Sequence, residues 1–117
     1  MKKAYHLSSC STCDRILKEV EDHHFQLQDI KYDAITEEQI DQMYQFTNSY
    51  EALFSKRARK YKSMGLKHEN LNEEDFKNLI LDEYTFLKRP VFIVGREIFV
   101  GNYKKTIDGL KNCLANE

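Results

Sequence analysis

The chain has 117 residues, the size of one domain, and its 41% hydrophobic and 12% aromatic content is enough to bury a core without staples. Its 18 Lys and Arg stand against 19 Asp and Glu, a formal net charge of −1, which removes the electrostatic case for a nucleic-acid binder. No apolar run approaches the length of a membrane-spanning helix, and Met1-Lys2-Lys3-Ala4-Tyr5-His6 carries no apolar signal region. A cytosolic location is therefore expected, where thiols are kept reduced, and the three cysteines read as one working pair plus Cys113.

Residues 3–7 alternate as a first strand, and 12–24 carry a helical stripe of Cys13, Ile16, Leu17 and Val20. Phe25, Leu27 and Ile30 mark a second strand near 26–31. Strand, helix and strand with a short crossover predict a parallel βαβ unit. Thr36-Glu37-Glu38-Gln39 reads as a capping box ahead of a helix striped by Ile40, Met43 and Tyr44. Asn48 or Ser49 is expected to cap a short helix carrying Ala52, Leu53 and Phe54. A further helical segment runs through Tyr61 and Met64, with Gly65 as its left-handed stop. Asn72 begins another helix, with Glu73, Glu74 and Asp75 in its first turn and Phe76, Leu79 and Ile80 as its buried face.

The only proline, Pro90, precedes the most apolar run, Val91-Phe92-Ile93-Val94. Gly95-Arg96 is a two-residue hairpin loop, and Glu97-Ile98-Phe99-Val100 returns antiparallel. Gly101-Asn102 turns the chain into a last helix striped by Ile107, Leu110 and Leu114. The expected class is α/β: a βαβ unit and a ββα unit forming a four-stranded mixed sheet, with an all-helical insertion at about 35–84. The chain is expected to be a single domain, residues 1–117, because the insertion's stripes need a sheet to pack on.

The chemistry concentrates in Ser9-Cys10-Ser11-Thr12-Cys13. A strand delivers Cys10 to the end of a sheet, and a helix starting beside it offers free N–H groups and the positive end of its dipole. Both favour thiolate, the nucleophilic form. Cys13 stands one turn in, placed to attack a mixed disulfide on Cys10. Two other readings remain open. Cys-x-x-Cys is half a zinc site, but the next candidates, His23 and His24, are adjacent and diverge by about 100° on a helix. Two inert core thiols are the other. His6, at the end of the first strand, could donate to the thiolate, but the favoured reading is a surface histidine, and Cys113 reads as a small hydrophobe in the last helix. Arg57, Arg59, Lys60 and Lys62 form a basic run of the kind usually found on solvated helix faces.

Cys10-x-x-Cys13 after a first strand, together with Leu53-Phe54-Ser55-Lys56-Arg57, Met64-Gly65-Leu66, Lys88-Arg89-Pro90 and Val100-Gly101-Asn102, resembles the arsenate reductase (ArsC)-like family, over nearly the whole chain. The resemblance implies a thioredoxin-like fold. It also implies a small thiol-dependent reductase with Cys10 as nucleophile, Cys13 in the place of the Spx regulators' second redox cysteine, and Arg89 as the arginine that holds an oxyanion. Arg57 resembles the arginine of YffB-type members. Arg57, Ser11, Thr12 and Pro90 are the expected substrate- or anion-binding residues, with Pro90 at the usual cis-proline position. Where the arsenate reductases carry a further arginine on the last strand, this chain has Val100. No bound cofactor or metal is expected. Glutathione with glutaredoxin, or thioredoxin, is the expected external reductant, small thiols or anionic substrates are the expected ligands, and the chain is expected to be monomeric. The alternative is an Spx-like redox sensor that contacts RNA polymerase and is switched by a Cys10–Cys13 disulfide.

Overall fold

The computed structural model describes residues 1–117. In chain order the elements are β1 (Lys2–His6), α1 (Ser11–Glu19), β2 (Gln26–Asp29), α2 (Glu37–Thr47), α3 (Arg59–Ser63), α4 (Glu73–Asp82), β3 (Val91–Val94), β4 (Glu97–Val100) and α5 (Lys104–Ala115), with four short 3-10 turns between them. The chain divides into two compact units, one formed by residues 1–33 with 89–117 and the other by 34–88.

The first unit is built on a four-stranded sheet of order β2-β1-β3-β4. β1 pairs in parallel with β2, placing His6 beside Asp29, and antiparallel with β3, placing Tyr5 opposite Val91. β3 and β4 form the expected hairpin around Gly95, whose φ of 58° suits glycine. All four residues of β3 are buried, as in a central strand covered on both faces. On one face Ala4, Phe92 and Val94 pack with Ile16 and Val20 of α1 and with Ile107, Leu110 and Leu114 of α5. Phe25 meets Phe92 edge-on at 5.0 Å, and Lys111 of α5 pairs with Glu19 of α1. Each fully buried aliphatic here contributes about 1.5–3 kcal/mol by leaving water.

The helical stripe does not run unbroken to residue 24. α1 ends at Glu19, and a 3-10 turn, Glu21–His23, carries the chain to His24, which adopts left-handed φ and ψ before β2. Val20 is the last residue the core requires, so nothing apolar holds the next turn in the α-helix.

The second unit begins with two capping boxes. Thr36 accepts from the Gln39 N–H, Asn72 accepts from the Asp75 N–H, and the Gln39 and Asp75 side chains return the bonds. Asn48 closes α2 in left-handed geometry, while the Ser49 hydroxyl caps the turn that carries Leu53. At its centre Phe54 stacks on Phe86 at 4.9 Å and also meets Phe76 and Tyr61. Around that ring cluster, Ser55 N–H donates to Phe86 and Lys88 N–H to Leu53. Lys77 is buried. It pairs with Glu37 at 3.1 Å and Asp41 at 3.0 Å, and Tyr50 donates its hydroxyl to Asp41. Lys77 thus ties α4 to α2 with its charge matched, which is what permits its burial. Leu79, expected inside, is only half-buried.

Candidate functional site

β1 ends at His6, and Leu7 to Cys10 form a turn closed by the Cys10 N–H donating to the Leu7 carbonyl at 2.9 Å. Cys10 is thereby the N-cap of α1, in extended geometry, and the Cys13 N–H points at its sulfur at 3.4 Å. This is the capping position normally filled by a serine or aspartate oxygen. Cys10 is half-exposed; Cys13, one turn on, is fully buried. No disulfide joins them.

The Cys13 thiol is surrounded by its own chain. Burial pushes it up to about 12. The Leu7 N–H, which donates to its sulfur, opposes that rise; its own S–H donation to Cys10 and the Cys10 charge add to it; the Arg89 guanidinium opposes it more weakly. Cys10, Cys13 and Arg89 are therefore gathered at one end of the sheet. Ser11, exposed, and Thr12, half-buried, are the first two residues of α1. Arg89 precedes Pro90 through a cis peptide bond, and Pro90 accepts from the Gly101 N–H at 2.9 Å. Val100, the residue standing where an arginine is expected, ends β4 opposite Val91, beside that Pro90–Gly101 contact. Arg57 belongs to the other unit, exposed on the segment ahead of α3.

One sequence expectation needs correction and another an addition. His6 is not a surface histidine: it is half-buried, and its Nδ1 is inside the protein without a hydrogen-bond partner. It sits on a strand with neighbours on both sides, which a reading of the strand alone does not reveal. Cys113 is more than a small hydrophobe. It packs against the core, but its thiol donates to Glu97 at 2.9 Å, and that bond, with partial burial, pushes it up to about 11. Cys113 lies at the opposite end of the sheet from Cys10, lining an open cavity of about 600 Å³ with Lys2, Glu97, Asn112 and Asn116.

Sequence reasoning missed Asp29. It ends β2 beside His6 and accepts from the Lys31 N–H at 3.2 Å; burial raises its carboxyl, but Ser8, the Lys31 N–H and the nearby His6 outweigh that and hold it below its ordinary value. A lone aspartate after an alternating strand carries no signal of such a role.

Solved structures share this fold. A YffB protein superposes with a TM-score of 0.81 at 18% identity, covering 97% of this chain and 99% of its own. An arsenate reductase from Vibrio cholerae gives 0.73 at 17% identity, covering 95% of each chain. An arsenate reductase (ArsC) related protein from Brucella melitensis gives 0.71 at 19% identity over 92% of each. No protein among those of curated function matches the sequence. No helix is long and apolar enough to cross a membrane. The architecture is that of the thioredoxin-like neighbours, and the model of the ArsC family matches residues 5–110: the chain belongs to the ArsC family.

Proposed function

We propose that the chain is a cytosolic, monomeric thiol-dependent oxidoreductase in which Cys10 is the nucleophile and Cys13 the resolving thiol. The observation that carries this reading is the seat of Cys10. It is accessible, it caps a helix N-terminus, and the Cys13 N–H donates to its sulfur at 3.4 Å with the buried Cys13 thiol one turn away. A donor and the positive end of a dipole at a sulfur favour its charged, nucleophilic form.

In the first step the Cys10 thiolate attacks one sulfur of a disulfide, forms a mixed disulfide and expels the other sulfur as a thiolate. In the second, Cys13 loses its proton to solvent and attacks the Cys10 sulfur. That closes a Cys10–Cys13 disulfide and expels the second thiolate. The substrate gains two electrons, which the protein recovers from an external dithiol or from glutathione with glutaredoxin. Arg89, with Arg57 as the further anion-binding residue that the resemblance implies, supplies a guanidinium fork that suits an anionic substrate or a glutathione carboxylate. Ser11, Thr12 and Pro90 complete the binding residues in this reading. Arsenate itself is a poor fit, because Val100 offers no donor where the reductases have an arginine.

The test is a mixed-disulfide trap. Cys13→Ser should leave substrates covalently held on Cys10, and Cys10→Ser should hold none. Small thiols or dithiol oxidoreductases on the trap support the enzyme. RNA polymerase subunits recovered equally with and without the trap would favour a redox regulator instead.

A further inference from the structure

Two of the three thiols, Cys10 and Cys113, are partly accessible, so exposure alone does not decide which of them takes part in exchange. What separates them is the end of the helix on which each sits. Cys10 stands at the N-terminus of α1, where an N–H donates to its sulfur. Cys113 stands in the last turn of α5, at the negative end of that helix's dipole, and no basic residue compensates there. Its thiol donates at 2.9 Å to the carboxylate of Glu97, the first residue of β4. A thiolate at that place would lose the bond and stand beside a like charge. Lys2, the one basic side chain lining the same cavity, is taken by Glu117 at 2.7 Å. The causes that raise this thiol follow the geometry: the Glu97 hydrogen bond first, then burial, then the Glu97 and Glu117 charges, with Lys2 opposing them. Sterics offer no such protection. The cavity at Cys113, about 600 Å³, is as large as many small-molecule sites, which span about 300–1,000 Å³.

We propose that Glu97 determines which thiols exchange: it keeps Cys113 protonated and so confines disulfide chemistry to Cys10 and Cys13. The confinement rests on the reading of Cys10 as the nucleophile; the protection of Cys113 stands without it. Lacking the carboxylate, a Cys113 thiolate would attack one sulfur of glutathione disulfide, form a mixed disulfide and expel the other sulfur as glutathione thiolate. No thiol of the same chain is placed to resolve that adduct, because Cys10 and Cys13 lie at the other end of the sheet. The modification would be a dead end on α5. The Glu97 charge also repels glutathione disulfide itself, which is anionic.

The experiment treats the full chain briefly with iodoacetamide at pH 8 and reads each cysteine by peptide mass mapping, with urea midpoints recorded for every variant. A return of the Cys113 thiol from about 11 to about 9 multiplies its thiolate fraction about a hundredfold and weakens each thiolate as a nucleophile about tenfold, a net gain of about tenfold. Glu97→Gln, on an exposed residue of an edge strand, should therefore keep a near-wild-type midpoint, speed Cys113 about tenfold and leave Cys10 unchanged. Glu97→Asp, which keeps the charge, should speed Cys113 less. Incubation with glutathione disulfide should place glutathione on Cys113 in Glu97→Gln and not in the wild type. In the unsubstituted chain the Cys113 rate should still be rising at about pH 10, a result that depends on no variant folding. A gain under about threefold in Glu97→Gln would overturn the inference, as would a wild-type Cys113 rate that levels off by about pH 9. The underlying reading fails separately, if Cys10→Ser retains turnover of a glutathione mixed disulfide.

Discussion

The resolving step should carry a pH signature set by the burial of Cys13. The perturbation is pH, applied to protein whose Cys10 already carries a neutral coloured thiol in mixed disulfide and whose Cys113 is replaced by serine. The rate of colour release then follows the thiolate fraction of Cys13. In the reduced protein, burial pushes that thiol up to about 12. Capping Cys10 removes its acceptor sulfur and its charge as causes of the rise, but burial, the largest cause, remains. The sign is fixed: burial disfavours the charged thiolate, so the reactive fraction at neutral pH is small and grows with every unit of pH. An ordinary thiol, with a midpoint of about 8.5, would gain only about thirtyfold between pH 7 and 10 and would level off before the end. A midpoint of about 12 gives nearly a thousandfold with no plateau. After the partial relief on capping, the expected rise is at least about a hundredfold. A plateau reached by about pH 9 would refute the argument that the buried seat of Cys13 governs resolution.

Arg89→Ala should slow reaction of Cys10 with anionic disulfides about ten- to a hundredfold and with neutral ones much less, the worth of one charge-assisted contact; equal losses would remove Arg89 from substrate binding. Turnover of arsenate with glutathione and glutaredoxin should fall well below that of a glutathione mixed disulfide, since one missing oxyanion donor costs about 2.7–4 kcal/mol, and Val100→Arg should raise the arsenate rate alone. Arsenate turnover equal to disulfide turnover would show that another group supplies the donor. Phe54→Ala should lower the stability of the 34–88 unit by about 3–5 kcal/mol in urea titration, because Phe54 is fully buried among Phe76, Phe86 and Tyr61; a loss under about 1 kcal/mol would contradict that packing.

The parts of the fold that sequence displays are those written in local chemistry. Thr36 with Gln39 and Asn72 with Asp75 mark helix starts because the bonds that make a capping box lie within four residues. Gly95 marks the hairpin and Gly65 the end of α3 for similar local reasons. Cys10 and Cys13 declared their relation because a turn and one helical turn separate them. What stayed hidden depends on partners far along the chain. The end of α1 at Glu19 is decided by where the core stops requiring apolar residues. His6 lies half-buried at the end of a central strand, beside Asp29 of β2, a setting that its own segment does not announce. Lys77 went inside because α2 supplies two carboxylates from residues 37 and 41. Asp29 and Ser8 belong to different strands' ends, and nothing in either segment names the other.

The discontinuity of the first unit has a temporal consequence. Cys10, its turn and α1 are contained in the first 19 residues, and Asp29 follows soon after, but Arg89 lies beyond the whole 34–88 segment. During synthesis Cys10 therefore leaves the ribosome long before Arg89 and before β3, the strand that pairs with β1. The 34–88 unit, contiguous in the chain, can gather its aromatic cluster first, since its contacts need only local loop closure. The antiparallel pairing of β1 with β3 must close the longest loop among the strand pairings and comes late. A nascent chain halted before residue 89 would present the two cysteines with neither the central strand nor the cation that completes their surroundings. The surroundings of Cys10 are thus completed only as the last quarter of the polypeptide emerges.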